Sequence, residues 1–324
     1  MSFNKSYPPP SRFPPNARQV ALITLTAVLD KYQPLDEVLK REGEEHGLLA
    51  FLSARDRAFM RKLVTTTLRR LGQIDHALER CLERPLTKAN PRLRNTLRLG
   101  VTQIIYLKTP THAAVDTAVR LAGKEKSSRG LVNAVLRRII REIEVLRPSE
   151  DTASLNAPAW LFDSWANAFG NNAAKAITRA HLEEPPLDLT LKDESETTTW
   201  QSRLDAKMLL PGSLRIIGGG RVEELPGYEE GAWWVQDAAA TLPARLLLSA
   251  LDKKSDKQIL DLCAAPGGKT LQLTASGASV TALDRSTKRL KLASDNLARL
   301  KLRAKTTVGD AVHWLPGKTP DGIL

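Results

Sequence analysis

The chain has 324 residues, 42% hydrophobic and 26% charged, which is enough for two or three domains with cores of their own. No window reaches the roughly 18 apolar residues of a membrane span, the start around Pro8-Pro9-Pro10 lacks a signal peptide's apolar segment, and Cys81 and Cys263 lack disulfide or zinc spacing. Neither a membrane-spanning helix nor a disulfide framework is indicated, and a cytoplasmic protein without a metal site is the expectation. The formal net charge of +12 belongs entirely to one half. Residues 1–150 hold 27 Lys and Arg against 15 Asp and Glu, whereas residues 151–324 hold 21 of each.

Residues 1–15 read as a disordered lead-in of Pro and Ser. From Asn16, a plausible N-cap, Ala17, Val20, Ala21, Thr24, Ala27 and Val28 recur at the spacing of one buried helix face. Further helical patterns follow at about 55–71, 73–83, 91–107, 112–122 and 129–147, with Pro85, Pro91 and Pro110 at their breaks. In the last of these, Leu131, Val132, Val135, Leu136, Ile139 and Ile140 make an apolar stripe, with Arg137, Arg138 and Arg141 turned away from it. Basic residues also recur at Arg55, Arg57, Arg61, Lys62, Arg69 and Arg70, and at Arg92, Arg94 and Arg98. A basic all-α domain beside a neutral one points to a polyanion partner, most simply nucleic acid.

Arg147–Ser154 reads as a linker. Two short helices are expected at about 158–169 and 171–182, then a strand at Leu187–Leu191, a helix near 197–206 and a strand at Leu214–Ile217 before Gly218-Gly219-Gly220. This predicts a small α+β subdomain. Beyond Gly231, a strand at Trp233–Val235 and a helix at Ala238–Leu251 lead to Gln258-Ile259-Leu260 and the segment Asp261-Leu262-Cys263-Ala264-Ala265-Pro266-Gly267-Gly268-Lys269-Thr270. The strand at 278–284 ends in Asp284, Ser286 caps a helix to about Leu300, and a third strand at 306–310 ends at Asp310. Strands alternating with helices at these lengths predict a parallel α/β sheet of Rossmann type.

In such a sheet, ligands bind beyond the carboxyl ends of the strands. Here those ends carry a Gly-rich turn opening a helix, Asp284 and Asp310. Glycines allow close backbone approach, and the N–H groups of a helix start face the ligand. Asp284 follows Asp261 by 23 residues, near the offset of about 20 at which an acid meets a ribose hydroxyl. Gly268-Lys269-Thr270 matches the end of a phosphate-binding P-loop, but the first glycine of that motif would be position 263, which is Cys. The dinucleotide fingerprint fails too, because only adjacent Gly267-Gly268 occurs.

The Asp261–Thr270 segment resembles motif I of the RNA cytosine-C5 methyltransferases, whose Cys-Ala-Ala-Pro-Gly-Gly-Lys core is highly specific, and Val235-Gln236-Asp237-Ala238-Ala239-Ala240 is similar to the segment that precedes it there. Asp56–Phe59, Leu97–Gln103, His112–Val115 and Gly130–Arg137 resemble the N-terminal domain of the Sun/Fmu type of bacterial 16S rRNA methyltransferase, a domain similar to the helical RNA binder NusB. The resemblance covers Asn16 to Leu324. It implies a NusB-like RNA-binding bundle over 16–148, the α+β subdomain over 155–230, and an incomplete Rossmann-type methyltransferase domain over 231–324. It also implies S-adenosylmethionine held along Cys263, Ala264, Ala265, Pro266, Gly267, Gly268 and Lys269, with Asp284 on the ribose and Asp310 near the adenine.

Methylation of cytosine C5 needs a thiolate to add at C6 first. The family uses two cysteines for addition and release, in motifs that would lie beyond Leu324, and Asp321–Leu324 looks like the start of the strand leading to them. The expectation is therefore a monomeric, 16S rRNA-binding enzyme chain with no catalytic residue of its own, inactive at this length. The alternatives are a non-catalytic RNA-binding module of the antitermination type and, third, a P-loop ATPase.

Overall fold

The computed structural model describes residues 15–324, apart from 45, 86–88, 147–149, 218–220 and 252. The lead-in before Pro15, the start of the expected linker and the Gly218–Gly220 run lie outside the described residues. The chain divides into two compact units, the first ending at Glu184 and the second spanning Pro185–Leu324.

The first unit is helical. Its elements are α1 (Ala17–Lys31), α2 (Leu35–Gly43), α3 (Ala54–Arg69), α4 (Leu71–Glu79), α5 (Pro91–Val101), α6 (Thr111–Leu121), α7 (Lys126–Arg141), α8 (Ile143–Leu146), α9 (Ala159–Phe169) and α10 (Asn171–Ala180). Asn16 caps α1 in a full capping box with Gln19. Leu22 and Leu25 are buried beside the expected face, so α1 is enclosed on more than one side. Two apolar cores hold the unit together. Leu25, Met60, Leu63 and Leu99 are among the residues of one, and Ile74, Leu97, Val132, Leu136 and Ile139 of the other.

Several expectations are corrected. The helix from Pro91 leaves α geometry at Val101 and continues as a π turn over Thr102–Tyr106. Side chains there compete for the backbone. The Thr102 hydroxyl donates to Arg98 O at 2.9 Å, and Gln103 Nε2 to Leu99 O at 3.2 Å. Leu131 is 41% exposed and lies outside the apolar stripe of α7. The second half of the expected linker is a 3-10 helix over Glu150–Asn156. It is tied to α4, because Asn156 Oδ1 accepts from Gln73 N and Gln73 Nε2 donates to Thr152 Oγ1.

The second unit holds two sheets. β1 (Leu187–Leu191), β2 (Ala206–Leu210), β3 (Ser213–Ile216) and β4 (Trp233–Val235) form an antiparallel sheet in the order β2-β3-β1-β4, with α11 (Thr197–Arg203) beside it. Trp233 and Leu214 are fully buried in its core. After α12 (Ala238–Ala250) come β5 (Gln258–Asp261), α13 (Gly268–Ala275), β6 (Ser279–Asp284), α14 (Thr287–Arg299), β7 (Lys305–Val308) and β8 (Gly322–Ile323). These four strands are parallel, in the order β7-β6-β5-β8. The chain thus winds outward through β6 and β7, then returns to the other side of β5. That reversal makes the carboxyl end of β5 a topological switch point.

Arg299, at the end of α14, fastens the parallel sheet's last helix to the loop before β4. Its guanidinium donates to Tyr228 O at 2.7 Å and Trp233 O at 3.0 Å, and lies over the Tyr228 ring. Gly231 passes so close that an added Cβ would sit 2.4 Å from Arg299 O, at a φ of +69°. Gly231→Ala therefore combines left-handed strain of about 1–2 kcal/mol with a backbone clash of about 1–3 kcal/mol. A urea melt followed by Trp fluorescence should show a clear loss of stability, and an unchanged midpoint would mean the loop yields freely.

Candidate cofactor site

The Gly-rich turn leaves β5 at Asp261, the switch-point strand. Cys263 N and Ala264 N both donate to Leu283 O of β6, at 3.1 and 2.9 Å, which folds the turn back across the end of the neighbouring strand. Cys263 pays for that with a φ of +76°, in the left-handed region that non-glycine residues seldom adopt. Its side chain is exposed, whereas Ala264 and Ala265 are buried. Gly267 has a φ of +113°, and an added Cβ would meet Ala293 of α14 at 3.0 Å. Turn and helix therefore approach as only glycine permits.

Helix α13 starts at Gly268 without a side-chain cap. The Thr270 N–H bonds back to the Asp261 carboxylate, which leaves the N–H groups of Gly268 and Lys269 for a ligand, with the positive end of the helix dipole behind them. Gly268 stands over Gln236, and Gln236 Oε1 accepts from Trp234 Nε1 at 2.8 Å while its Nε2 reaches Gln272 Oε1 at 3.3 Å. Lys269 is half-buried in the first turn.

Asp284, 4% exposed, closes the turn from the end of β6. One carboxylate oxygen accepts from Ala265 N at 3.1 Å and the other from Ser286 N at 2.9 Å. Each oxygen has two lone pairs, so capacity for two further donors remains. Gly309 N donates to Asp284 O at 3.1 Å, which sets Asp310 at the adjoining strand end. Asp310 is exposed, and its carboxylate accepts from Val312 N at 2.9 Å to shape a turn. The structure thus gathers the 263–269 turn, Asp284 and Asp310 at neighbouring ends of β5, β6 and β7.

Two features of the site escaped the sequence reading. Arg289 of α14 donates to Ala265 O at 2.7 Å and so pins the carbonyl in the middle of the turn. Nothing in the sequence marks a contact that spans 24 positions. Asp261 is buried, and Thr270 Oγ1 donates to its carboxylate at 2.6 Å. In a P-loop the corresponding hydroxyl is turned to a metal ion. Here it is fully buried and committed to Asp261, which argues against the ATPase alternative.

Burial raises the Asp261 carboxyl above its ordinary range, against the lowering effects of the Thr270 hydrogen bond and the Lys269 charge. A carboxyl raised in the folded state keeps its proton where the unfolded chain has lost it. Stability should therefore fall as pH climbs from the ordinary value of 3.8 through the raised folded value, then level off. Asp261→Asn should flatten that slope in urea titrations at stepped pH. A slope unchanged by the substitution would place its origin elsewhere.

The two cysteines differ in setting. Cys81 is buried in the core with α4, α5 and α7, and burial pushes its thiol up, away from the reactive thiolate. Cys263 belongs to the turn itself. Among the described residues there is no cluster of His, Cys, Asp and Glu able to hold a metal ion, and no helix is long and apolar enough to cross a membrane.

Comparison with known proteins bears on the family and the fold. Residues 15–141 match the NusB family, and residues 248–324 match the family of 16S rRNA methyltransferase RsmB/F. Ribosomal RNA small subunit methyltransferase B of Yersinia enterocolitica is 33% identical over 320 residues, covering 94% of this chain and 71% of that protein. The protein of the same name from Escherichia coli O157:H7 is 30% identical over 326 residues, covering 95% and 73%. In fold, the crystal structure of PH0851 is similar with a TM-score of 0.62 at 18% identity, over 94% of this chain and 71% of that one.

Proposed function

The chain belongs to the RsmB/F family of 16S rRNA methyltransferases, and on that premise we propose that it serves S-adenosylmethionine-dependent methylation of cytosine C5 in 16S rRNA. The observation that carries the cofactor reading is the buried Asp284 carboxylate, one bond from the Gly-rich turn and at the end of the next parallel strand. The residues fit a nucleoside cofactor. The first N–H groups of α13 offer donors to a carboxylate, and a strand-end acid offers acceptors to ribose hydroxyls.

In this reading, Cys263–Lys269 line the amino-acid and ribose portion, Asp284 accepts from the ribose hydroxyls, and Asp310 lies beside the adenine. Bound S-adenosylmethionine would supply an electrophilic methyl group. The chain's own part is to orient it: Arg289 fixes the turn, and Asp284 fixes both the turn and the start of α14. Neither Cys81 nor Cys263 is proposed as the thiolate that adds to cytosine. The basic segment 16–148 is proposed to hold rRNA, residues 231–324 the cofactor, and 155–230 to form the subdomain that joins them in sequence.

Thermal unfolding with S-adenosylmethionine, S-adenosylhomocysteine and ATP tests the cofactor class. The first two should raise the melting temperature in a concentration-dependent manner, because they bind only the folded state. ATP should leave it unchanged. Stabilisation by ATP alone would return the turn to the phosphate-binding class and overturn the proposal.

A further inference from the structure

The first unit carries a groove of about 540 Å³ between α6 and α7 that has no part in the cofactor site. Its floor is apolar. Val115, Val119 and Ile140 line it, and all three pack against the larger helical core. Its rim is basic, with Arg137 and Arg141 one helical turn apart on α7 and both exposed. Arg137 Nε donates to Asn133 Oδ1 at 3.0 Å, which lays its stem along the groove. Helix α6 opens at Thr111 without a side-chain cap, so its N–H groups and positive dipole end meet the groove at one end. The one acid on the rim, Asp116, is balanced by Arg120 at 3.0 Å.

An apolar floor beneath a cationic rim is poorly matched to a duplex, which presents phosphate and sugar outward and keeps its bases stacked inside. It is matched to a strand whose bases are unstacked, each with an apolar face and a flanking phosphate. The volume lies within the range of about 300–1,000 Å³ that encloses small ligands. We propose that the α6–α7 groove holds one unpaired nucleotide of the rRNA strand, its base on Val115, Val119 and Ile140 and its flanking phosphates on Arg137, Arg141 and the start of α6. This inference rests on the RNA-binding reading given above and deepens it. The groove reads whether RNA is single-stranded, while arginines elsewhere on the unit add affinity without that distinction.

Fluorescence anisotropy of the whole chain with a labelled unstructured RNA and with a hairpin duplex of equal length tests this. The variants are Val119→Trp, which fills the floor, the pair Arg137→Glu and Arg141→Glu, which reverses the rim, and the pair Arg55→Glu and Arg61→Glu on the exposed face of α3. Val119→Trp should weaken single-strand binding at least fivefold and leave duplex binding within twofold. The rim pair should weaken single-strand binding at least tenfold and make the salt dependence shallower by about 1.4 in log–log slope, roughly 0.7 for each phosphate that is no longer neutralised. Both rim arginines are exposed, so their result stands even if Val119→Trp fails to fold. Equal losses from the α3 pair and the rim pair, with none from Val119→Trp, would mean diffuse attraction and overturn the groove while leaving RNA binding intact. Binding of labelled poly-glutamate that the groove variants abolish, with their RNA affinity unaltered, would reassign the groove to an acidic peptide. Absence of RNA binding by the unaltered chain would instead sink the RNA reading itself.

Discussion

Replacing Asp284 by Ala should abolish cofactor-dependent stabilisation and also weaken the empty protein. The carboxylate is 4% exposed and accepts from Ala265 N and Ser286 N, so its removal strands one buried and one part-buried donor. At about 1.5–3 kcal/mol for each hydrogen bond to a charged group, and with the part-buried Ser286 N–H regaining some hydration, the apo protein should lose roughly 2–5 kcal/mol. Loss of two ribose contacts of the same kind should weaken the cofactor about a hundredfold or more. At a concentration 100 times the unaltered dissociation constant, bound cofactor stabilises the protein by about 2.7 kcal/mol, and a hundredfold weaker site retains only about 0.4 kcal/mol. The thermal shift should therefore all but vanish. Asp310→Ala should cost less than tenfold, because that carboxylate is exposed and caps only a local turn. The comparison is made by titrating each variant with S-adenosylmethionine and reading the shift relative to its own apo midpoint. Equal shifts in Asp284→Ala and the unaltered chain would remove Asp284 from the ribose.

What made Asp284 legible is that its signal is local: an apolar run of β6, an acid at its end, and Ser286 to cap the helix that follows. The same locality made α1, α7 and the Rossmann strands legible. Where the sequence reading failed, the determining contact lies far along the chain or the element is too polar to show a period. Helix α2 buries only Val38 and Glu42, so no stripe marks it. Strand β2 follows buried Ala206 with two exposed residues in a row, Lys207 and Met208, at a sheet edge, which hides its alternation. Arg289 reads as an ordinary cationic residue on α14 until the turn is folded beneath it. The basic residues illustrate the same limit from the other side. Counting charge located the asymmetry correctly, yet charge alone does not tell a surface arginine from one consumed inside. Arg55, Arg57, Arg61 and Lys62 are exposed on α3, as expected. Arg94 and Arg98 are not a free surface, whereas Arg92 stays exposed. Arg92 donates to Leu121 O, Arg94 pairs with Asp30, and Arg98 is 9% exposed.

Arg98→Met should consequently destabilise the helical unit strongly and leave RNA affinity of the folded protein nearly unchanged. The Arg98 guanidinium holds Asp75 of α4 in two hydrogen bonds, at 2.8 and 2.6 Å, and donates a third to Asn95 Oδ1 at 3.0 Å. Asn95 in turn donates to Asp30 and Thr26 of α1, so one arginine on α5 organises polar contacts to the helices on both sides. Breaking a buried ion pair from one side typically costs about 3–5 kcal/mol, because the surviving charge is left unpaired. Asp75 is 26% exposed and recovers part of its hydration, which brings the expectation to roughly 2–4 kcal/mol. At about 2–4 °C per kcal/mol for a unit of this size, the melting temperature should fall by roughly 5–15 °C. The double change Arg98→Met with Asp75→Leu should regain part of that loss, since it removes the stranded carboxylate and supplies apolar volume. A surface role predicts the reverse pattern: little change in melting, a several-fold drop in RNA affinity, and no recovery in the double variant. Calorimetry and anisotropy on the two variants separate these outcomes, and the second pattern would return Arg98 to the RNA-binding face.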